Sequence, residues 1–96
     1  MRVSVRLFAQ LRDIAGASKL SRQLPAGSSA GALWNILASE CPELEFYRRA
    51  ISTAVNEEYA NMDRELSEGD EVAFLPPVSG GMRNRGNVNG ETNPRR

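Results

Sequence analysis

One run near the C-terminus limits the fold of this chain more than any other feature. An apolar segment is followed by two prolines and then two glycines, in the order Asp70-Glu71-Val72-Ala73-Phe74-Leu75-Pro76-Pro77-Val78-Ser79-Gly80-Gly81. The apolar segment predicts a strand. Because proline fixes φ and lacks a backbone N–H, Pro76 and Pro77 predict that the chain leaves the sheet as a stiff extended arm. Gly80 and Gly81 have no Cβ, so a narrow pocket of another protein can admit them and reach the Gly81 carbonyl carbon.

Length and charge favour a binding or carrier role over an enzyme. The chain has 96 residues, enough for one small domain. Such a domain buries roughly 60–65% of its unfolded surface, which leaves little core for an active-site cavity. Residues 1–81 hold 8 Lys or Arg against 11 Asp or Glu, whereas residues 82–96 hold 4 Arg against 1 Glu. The mildly acidic body argues against nucleic acid as a partner and suits a basic protein.

The scarcity of histidine and cysteine excludes several kinds of site. The chain has no His and a single Cys, Cys41, so it offers neither a Cys–His pair nor a thiolate-rich zinc site. We therefore expect no bound metal and no bound cofactor. No hydrophobic run reaches the length of a membrane span or signal peptide, which predicts no membrane partner and a cytoplasmic location.

The N-terminal part of the chain predicts two strands. Apolar and polar residues alternate over 3–7, as in a half-buried strand, and Phe8 falls on the opposite face from the apolar set. The spacing over 9–16 predicts a short helical turn that a terminal glycine caps. The segment 20–24 predicts a second strand, antiparallel to the first.

The main helix is predicted between a start signal and a stop signal in the sequence. Ser28 or Ser29 can cap its N-terminus, and Pro42 stops it. Trp34 and Cys41 are interpreted as packing residues of this helix rather than as a ligand-stacking group and a nucleophile. The predicted core face of the helix comprises Ala30, Leu33, Ile36 and Leu37.

The rest of the body predicts a mixed sheet. Residues 42–50 are compatible with a short second helix or an irregular cover. The β-branched segment 51–55 predicts a strand, 56–58 a turn, 59–60 a short returning strand, and 71–75 the last strand. This order indicates an α+β domain in which a mixed sheet packs on one main helix. Residues 82–96 are polar and basic, which predicts a disordered C-terminal extension after the domain of residues 1–81.

Three segments together resemble a known family. They are Phe8-Ala9-Gln10-Leu11-Arg12, Ala54-Val55-Asn56 and the closing run from Leu66 through Gly69-Asp70-Glu71 to Gly81. Their combination resembles the small, sulfur-carrying subunit of molybdopterin synthase. The resemblance covers about residues 1–81 and implies the ubiquitin-like β-grasp fold.

The resemblance also implies a cycle of activation and transfer. An adenylating enzyme related to ubiquitin-activating proteins uses ATP to convert the terminal glycine carboxylate into an acyl-adenylate, and a sulfur donor then gives a thiocarboxylate. The arm enters the large subunit of molybdopterin synthase, where the sulfur passes to cyclic pyranopterin monophosphate. Gly81 would carry the reactive group and Gly80 would give clearance, and the carrier would have no catalytic residues of its own beyond the Gly81 acyl group.

The partner-binding residues implied by the resemblance lie outside the glycine pair. Phe8, Tyr59 and Leu75 match apolar positions that face the large subunit in the family. Pro76, Pro77 and Val78 are also assigned to partner binding, and the two prolines would set the reach of the arm. The acidic residues between 57 and 71 are interpreted as a solvated face and, secondarily, as a docking surface for a basic activating enzyme.

The extension after Gly81 departs from the family, whose members normally stop at the glycine pair. Adenylation needs a carboxylate, and Gly81 has none while it is bonded to Met82. We therefore expect either that a protease removes residues 82–96 or that the chain is an inactive precursor. Three different functions share parts of the pattern: a sulfur carrier for thiamine synthesis or thiolation of transfer RNA, a ubiquitin-like protein modifier, and a plain β-grasp interaction module.

Overall fold

The computed structural model describes residues 1–77, and within them local sequence signals set most element boundaries. The predictions for Val78, Gly80, Gly81 and the extension lie outside the described residues. Gly16 ends the first helix with a left-handed φ of +80°, and Ser29 caps the second by accepting a hydrogen bond from the Ala32 N–H at 3.1 Å. The elements are β1 (Arg2–Leu7), α1 (Ala9–Ala15), β2 (Lys19–Gln23), α2 (Ala30–Glu40), a 3₁₀ helix (Pro42–Tyr47), β3 (Ser52–Val55), β4 (Glu58–Ala60) and β5 (Glu71–Leu75).

The five strands form one mixed sheet with β5 at its centre. The strand order is β2-β1-β5-β3-β4, with β1 and β5 parallel and the other neighbours antiparallel. Val5 of β1 pairs with Val72 of β5, which pairs in turn with Val55 of β3. The predicted mixed sheet packed on one main helix is present, and the stretch after Pro42 forms a 3₁₀ helix.

The core lies between α2 and one face of the sheet. Trp34 of α2 meets Phe74 of β5 edge to face, with ring centroids 5.0 Å apart. The buried face of α2 differs from the predicted one at one position, because Trp34 is buried where Ile36 is only half-buried. The fully enclosed apolar residues are Val3, Val5, Leu7, Leu11, Leu24, Ala30, Leu33, Trp34, Leu37, Leu44, Val55, Leu66, Val72 and Phe74.

The turn between β3 and β4 is joined to the start of β5. Asn56 donates from its side chain to the Asp70 carboxylate at 2.9 Å, and its side-chain oxygen accepts from the Glu71 N–H at 3.0 Å. Both turn residues have a positive φ, +51° at Asn56 and +72° at Glu57. A two-residue hairpin turn of this kind favours Asn followed by Gly, so Glu57 holds an unfavourable backbone conformation.

Replacing Glu57 by glycine should therefore stabilise the protein. We expect Glu57→Gly to raise the free energy of unfolding by about 1 kcal/mol, because glycine adopts this φ without steric conflict. Urea unfolding followed by circular dichroism measures the change. Glu57→Ala is the matched control, since it removes the same charge but keeps Cβ and should give no comparable gain. Equal stabilisation by both variants would contradict the backbone explanation.

One ion pair connects β2 to α2. The Arg22 guanidinium donates from Nε to the Glu40 carboxylate at 3.0 Å and makes a second hydrogen bond from Nη2. This hydrogen bond lowers the pKa of Glu40 below its ordinary value and raises that of Arg22. The Glu40 side chain is 42% exposed, so solvent screens the pair and its contribution stays below about 1 kcal/mol.

The pH dependence of this ion pair has a definite sign. A lowered carboxyl pKa means that the stabilisation is complete above the ordinary glutamate value and is lost as the pH falls through the lower folded-state value. We expect the stability difference between the parent and Glu40→Gln to be largest at neutral pH and to shrink as acidification protonates Glu40. Urea midpoints at several pH values measure it. A difference that grows on acidification would contradict this assignment.

Candidate functional site

The sheet face turned away from α2 carries a row of small and apolar side chains. Because side chains alternate along a strand, residues adjacent in register to Ala73 share its face. Ala73 pairs with Arg6 on one side and with Ala54 on the other, and Ala54 pairs with Tyr59. Tyr59 is 81% exposed. The small side chains of Ala73 and Ala54 leave a shallow surface between Arg6 and Tyr59.

Three of the predicted partner-binding residues, Phe8, Tyr59 and Leu75, lie on this side of the sheet. Leu75 is the last residue of β5 and points opposite to the buried Phe74, while Phe8 follows the last β1 residue that pairs with β5. Phe8 is 37% exposed and Leu75 is half-buried, less open than predicted for Leu75, because β5 is the central strand and β1 and β3 flank it. We define the docking face as Phe8, Ala54, Tyr59, Ala73 and Leu75.

The arm starts at one end of the docking face. Leu75 pairs with Ser52 at the start of β3, and the chain continues directly into Pro76, which is half-buried, and Pro77, which is exposed. Neither proline can donate to a neighbouring strand. The sheet therefore ends where the arm begins.

Arg6 lies between two partners on the same face. Its guanidinium carbon sits 5.5 Å from the centre of the Phe8 ring, and its Nη1 is 3.6 Å from the Glu71 carboxylate. Arg6 and Phe8 are two residues apart, so they share one side of an extended segment. The alternation in the sequence marks Arg6 only as a polar, outward-facing position and assigns it no role.

A cleft of about 330 Å³ opens beside the docking face. Arg48 lines it, but its guanidinium already hydrogen-bonds Glu45 and Asn35. The hydrogen bond to the Glu45 carboxylate raises the Arg48 pKa. Within residues 1–77, no group of three or more His, Cys, Asp and Glu side chains is placed to hold a metal ion. The other lining residues are Ile51, Ser52, Thr53, Tyr59, Ala60, Asn61 and Met62.

Comparison with a family model decides what kind of protein this is. The model described as the ThiS family matches residues 5–81. The chain belongs to the ThiS family. The match ends at Gly81, so the extension lies beyond the part that the ThiS family shares.

Several relatives of this ThiS-family chain are named for their function. The chain is 35% identical over 79 residues to the molybdopterin synthase sulfur carrier subunit of Arabidopsis thaliana, covering 82% of each chain. It is 34% identical over 83 residues to the Escherichia coli (strain K12) protein of the same name, covering 82% of this chain and 99% of the relative. The predicted membership in the molybdopterin synthase sulfur-carrier family is confirmed.

A solved structure confirms the fold of this ThiS-family chain. The small archaeal modifier protein 1 (SAMP1) of Methanosarcina acetivorans superposes with a TM-score of 0.73 and 26% identity, covering 83% of this chain and 96% of that one. The predicted ubiquitin-like β-grasp fold is therefore confirmed. Within the described range 1–77, no helix has the length and apolar character needed to span a membrane.

The positions of two further side chains, Phe46 and Cys41, can be compared with the predictions from the sequence. The stretch 42–50, predicted as a short second helix or an irregular cover, forms the 3₁₀ helix Pro42–Tyr47, and Phe46 within it is 87% exposed. The 3₁₀ helix packs on α1 and α2, so Phe46 lies away from the docking face. Cys41 ends α2, where it is half-buried and packs against the core, in keeping with a packing role.

Proposed function

We propose that this protein is the sulfur carrier of a molybdopterin synthase and works in molybdenum cofactor biosynthesis. The names of the Arabidopsis thaliana and Escherichia coli relatives support this function. The observation that carries it is the placement of the arm: β5 leads from the centre of the sheet into Pro76-Pro77 at the end of the docking face. A partner that binds this face is therefore in position to receive the arm.

The arm is long enough to separate the reactive group from the body. The six residues from Pro76 to Gly81 span on the order of 20 Å when extended. In the proposal, the body stays outside a deep pocket of the large subunit while Gly81 reaches the bound pterin. Gly80 and Gly81 leave room in a narrow channel because they have no Cβ. Val78 contributes to the reach and contacts of the arm.

The chemistry of the proposed cycle occurs in partner proteins. A carboxylate is a poor electrophile until its oxygen becomes part of a good leaving group, which adenylation by an ATP-using enzyme provides. A sulfide equivalent then displaces AMP and leaves a thiocarboxylate on Gly81. This soft nucleophile is delivered to cyclic pyranopterin monophosphate in a protected site, which limits loss of sulfur to water. The carrier binds no cofactor in this scheme and acts in the cytoplasm.

Residues 82–96 have to be absent for this cycle to run. The family match stops at Gly81, and Gly81 has no free carboxylate while Met82 follows it. We propose that a protease cleaves after Gly81. Intact-mass analysis of the protein purified from its own cells tests this step, with a species ending at Gly81 as the expected result and only full-length protein as the contrary one.

The docking face gives a direct test of the proposed partner. We expect Phe8→Ala and Leu75→Ala each to weaken binding to the large subunit by about tenfold or more, because apolar anchors near an interface centre dominate affinity. Isothermal titration calorimetry measures the dissociation constants. Phe46→Ala is the matched control, since it removes an exposed phenylalanine away from this face and should leave affinity unchanged. Parent-like affinity for both docking-face variants would refute the assignment.

A protein modifier is the second candidate function. The structural likeness to the modifier SAMP1 of Methanosarcina acetivorans favours it over a plain β-grasp interaction module. A modifier forms isopeptide bonds with lysines of its targets, whereas a sulfur carrier releases its thiocarboxylate sulfur. Slow-migrating conjugates that disappear when Gly81 is deleted would support modification. The same activated glycine can serve thiamine or transfer-RNA sulfuration with a different acceptor, which a comparison of purified acceptors separates.

A further inference from the structure

We propose that Arg6 is a positioning residue that holds the Phe8 ring in the orientation needed for docking. This inference rests on the proposed function, because Phe8 is one of the residues expected to meet the large subunit. Arg6 acts through Phe8 and is not itself required to touch the partner. Three observations carry the assignment: the ion pair that anchors Arg6, its placement on the Phe8 ring, and the fixed backbone on which Phe8 sits.

The first observation is the anchor. Arg6 and Glu71 belong to the neighbouring parallel strands β1 and β5, and their side chains form an ion pair at 3.6 Å. Both side chains are partly exposed, 42% for Arg6 and 36% for Glu71, so solvent screens the pair and its energy is small. The pair nevertheless favours positions of the Arg6 guanidinium over the strand face, on the side where Phe8 lies.

The second observation is the ring contact. The Arg6 guanidinium lies 5.5 Å from the centroid of the Phe8 ring, within the range of a cation–π interaction. Phe8 is 37% exposed, compared with 81% for Tyr59. The Phe8 ring is therefore already partly covered in the free protein. A partner would contact the remaining surface of a ring whose orientation is set beforehand.

The third observation is the backbone of Phe8. Its carbonyl accepts hydrogen bonds from the Leu11 N–H at 3.1 Å and from the Arg12 N–H at 3.5 Å, which anchors the residue as the N-cap of α1. The next residue, Ala9, has a φ of +50°, a conformation that alanine rarely adopts. Such a backbone persists only where its surroundings enforce it. With the backbone fixed, Phe8 can change only its side-chain torsion angles, and the contact with Arg6 restricts these angles.

The consequence is a lower entropic cost of docking. Immobilising a side chain at an interface opposes binding, so a residue held beforehand in its bound orientation raises affinity without a new contact. An exposed cation–π contact is weak, and we expect Arg6→Met to weaken binding of the large subunit by about two- to fivefold. Arg6→Lys keeps the cation and should restore most of the affinity. Glu71→Gln removes the anchor and should give a loss between those of Arg6→Lys and Arg6→Met.

A double-mutant cycle and a nuclear magnetic resonance measurement test the proposal together. Binding is measured with the form that ends at Gly81, which keeps every described helix and strand, and resonances are measured on the full chain. In the parent, the Arg6 side-chain protons should lie upfield of the matching Arg2 protons, because they sit over an aromatic ring. Phe8→Leu should abolish this difference. Arg2→Met, which removes the same charge from the same face of β1, should leave affinity within about twofold of the parent.

The outcomes separate this proposal from its competitors. Arg6→Met should weaken binding in the parent but not in Phe8→Ala, since nothing is then left to position. An equal loss in both backgrounds would mean that Arg6 contacts the partner directly and would overturn the proposal, as would the absence of the upfield shift. Parent-like affinity of Phe8→Ala would also overturn it. The sulfur-carrier function would still stand in each of these cases if a thiocarboxylate on Gly81 supplies sulfur to the pterin.

Discussion

The full-length chain is expected to resist adenylation, whereas a variant that ends at Gly81 is expected to be a substrate. Adenylation joins a carboxylate oxygen to the α-phosphate of ATP and releases pyrophosphate. In the full chain the Gly81 carbonyl belongs to the peptide bond with Met82 and has no such oxygen. Pyrophosphate release in the presence of ATP and the adenylating enzyme measures the reaction. We expect release with the shortened form and only background with the full chain.

A variant that ends at Met82 separates the need for a carboxylate from the need for glycine. It has a free terminal carboxylate, but its last residue carries a Cβ and a long side chain. If the activating site is as narrow as the glycine pair indicates, this variant should react far more slowly than the one ending at Gly81. Equal rates for the full chain and the Gly81 form would contradict the proposal that the extension blocks activation.

Trp34→Ala is expected to produce the largest loss of stability among single substitutions in the body. Trp34 is fully buried against Phe74, and truncation leaves a cavity that the surrounding residues fill only partly. Losses of about 3–5 kcal/mol are usual for such changes. Because small domains have only about 5–15 kcal/mol of stability, the variant should unfold at much lower urea concentration or fail to fold. Equilibrium unfolding followed by circular dichroism measures the loss.

Trp34→Phe is the matched control for this cavity. It keeps an aromatic ring for the edge contact with Phe74 and removes the indole N–H, which has no hydrogen-bond acceptor among the described residues. A buried unpaired donor costs about 1–3 kcal/mol, so its removal offsets part of the lost packing. We expect Trp34→Phe to be far milder than Trp34→Ala. Similar losses of stability for both variants would mean that the loss of the indole itself, and not the large cavity left by alanine, determines the cost.

The strand faces could be predicted from the sequence because alternation is a local property. Val3, Val5 and Leu7 are buried as the period of two predicts. The parallel pairing of β1 with β5 could not be read this way, since it joins residues far apart in the chain, and the sequence predicted only that the sheet is mixed. The burial of Trp34 rather than Ile36 on α2 could not be predicted either, because it depends on residues far away in the chain. Both fit a helical stripe, and the position of Phe74 on the opposing sheet favours the aromatic ring.

The candidate site was predicted in part, for related reasons. The arm follows from the chemistry of Pro76 and Pro77, which act locally on the backbone. The half-buried state of Leu75 depends on the central position of β5, and Phe46 is exposed because Leu44 fills the core from the same 3₁₀ helix. Sequence alternation does not show which polar residue contacts an aromatic ring. The contact between Arg6 and the Phe8 ring could therefore be found only in the folded structure.

Transfer of sulfur from Gly81 to a pterin tests the central claim most directly. The form ending at Gly81 is thiocarboxylated, checked by intact mass, and mixed with the large subunit and cyclic pyranopterin monophosphate. We predict that two carriers return to the carboxylate mass for each pterin that gains its two dithiolene sulfurs. A pterin that stays unsulfurated, or one that gains sulfur equally with a carrier lacking the thiocarboxylate, would contradict the account.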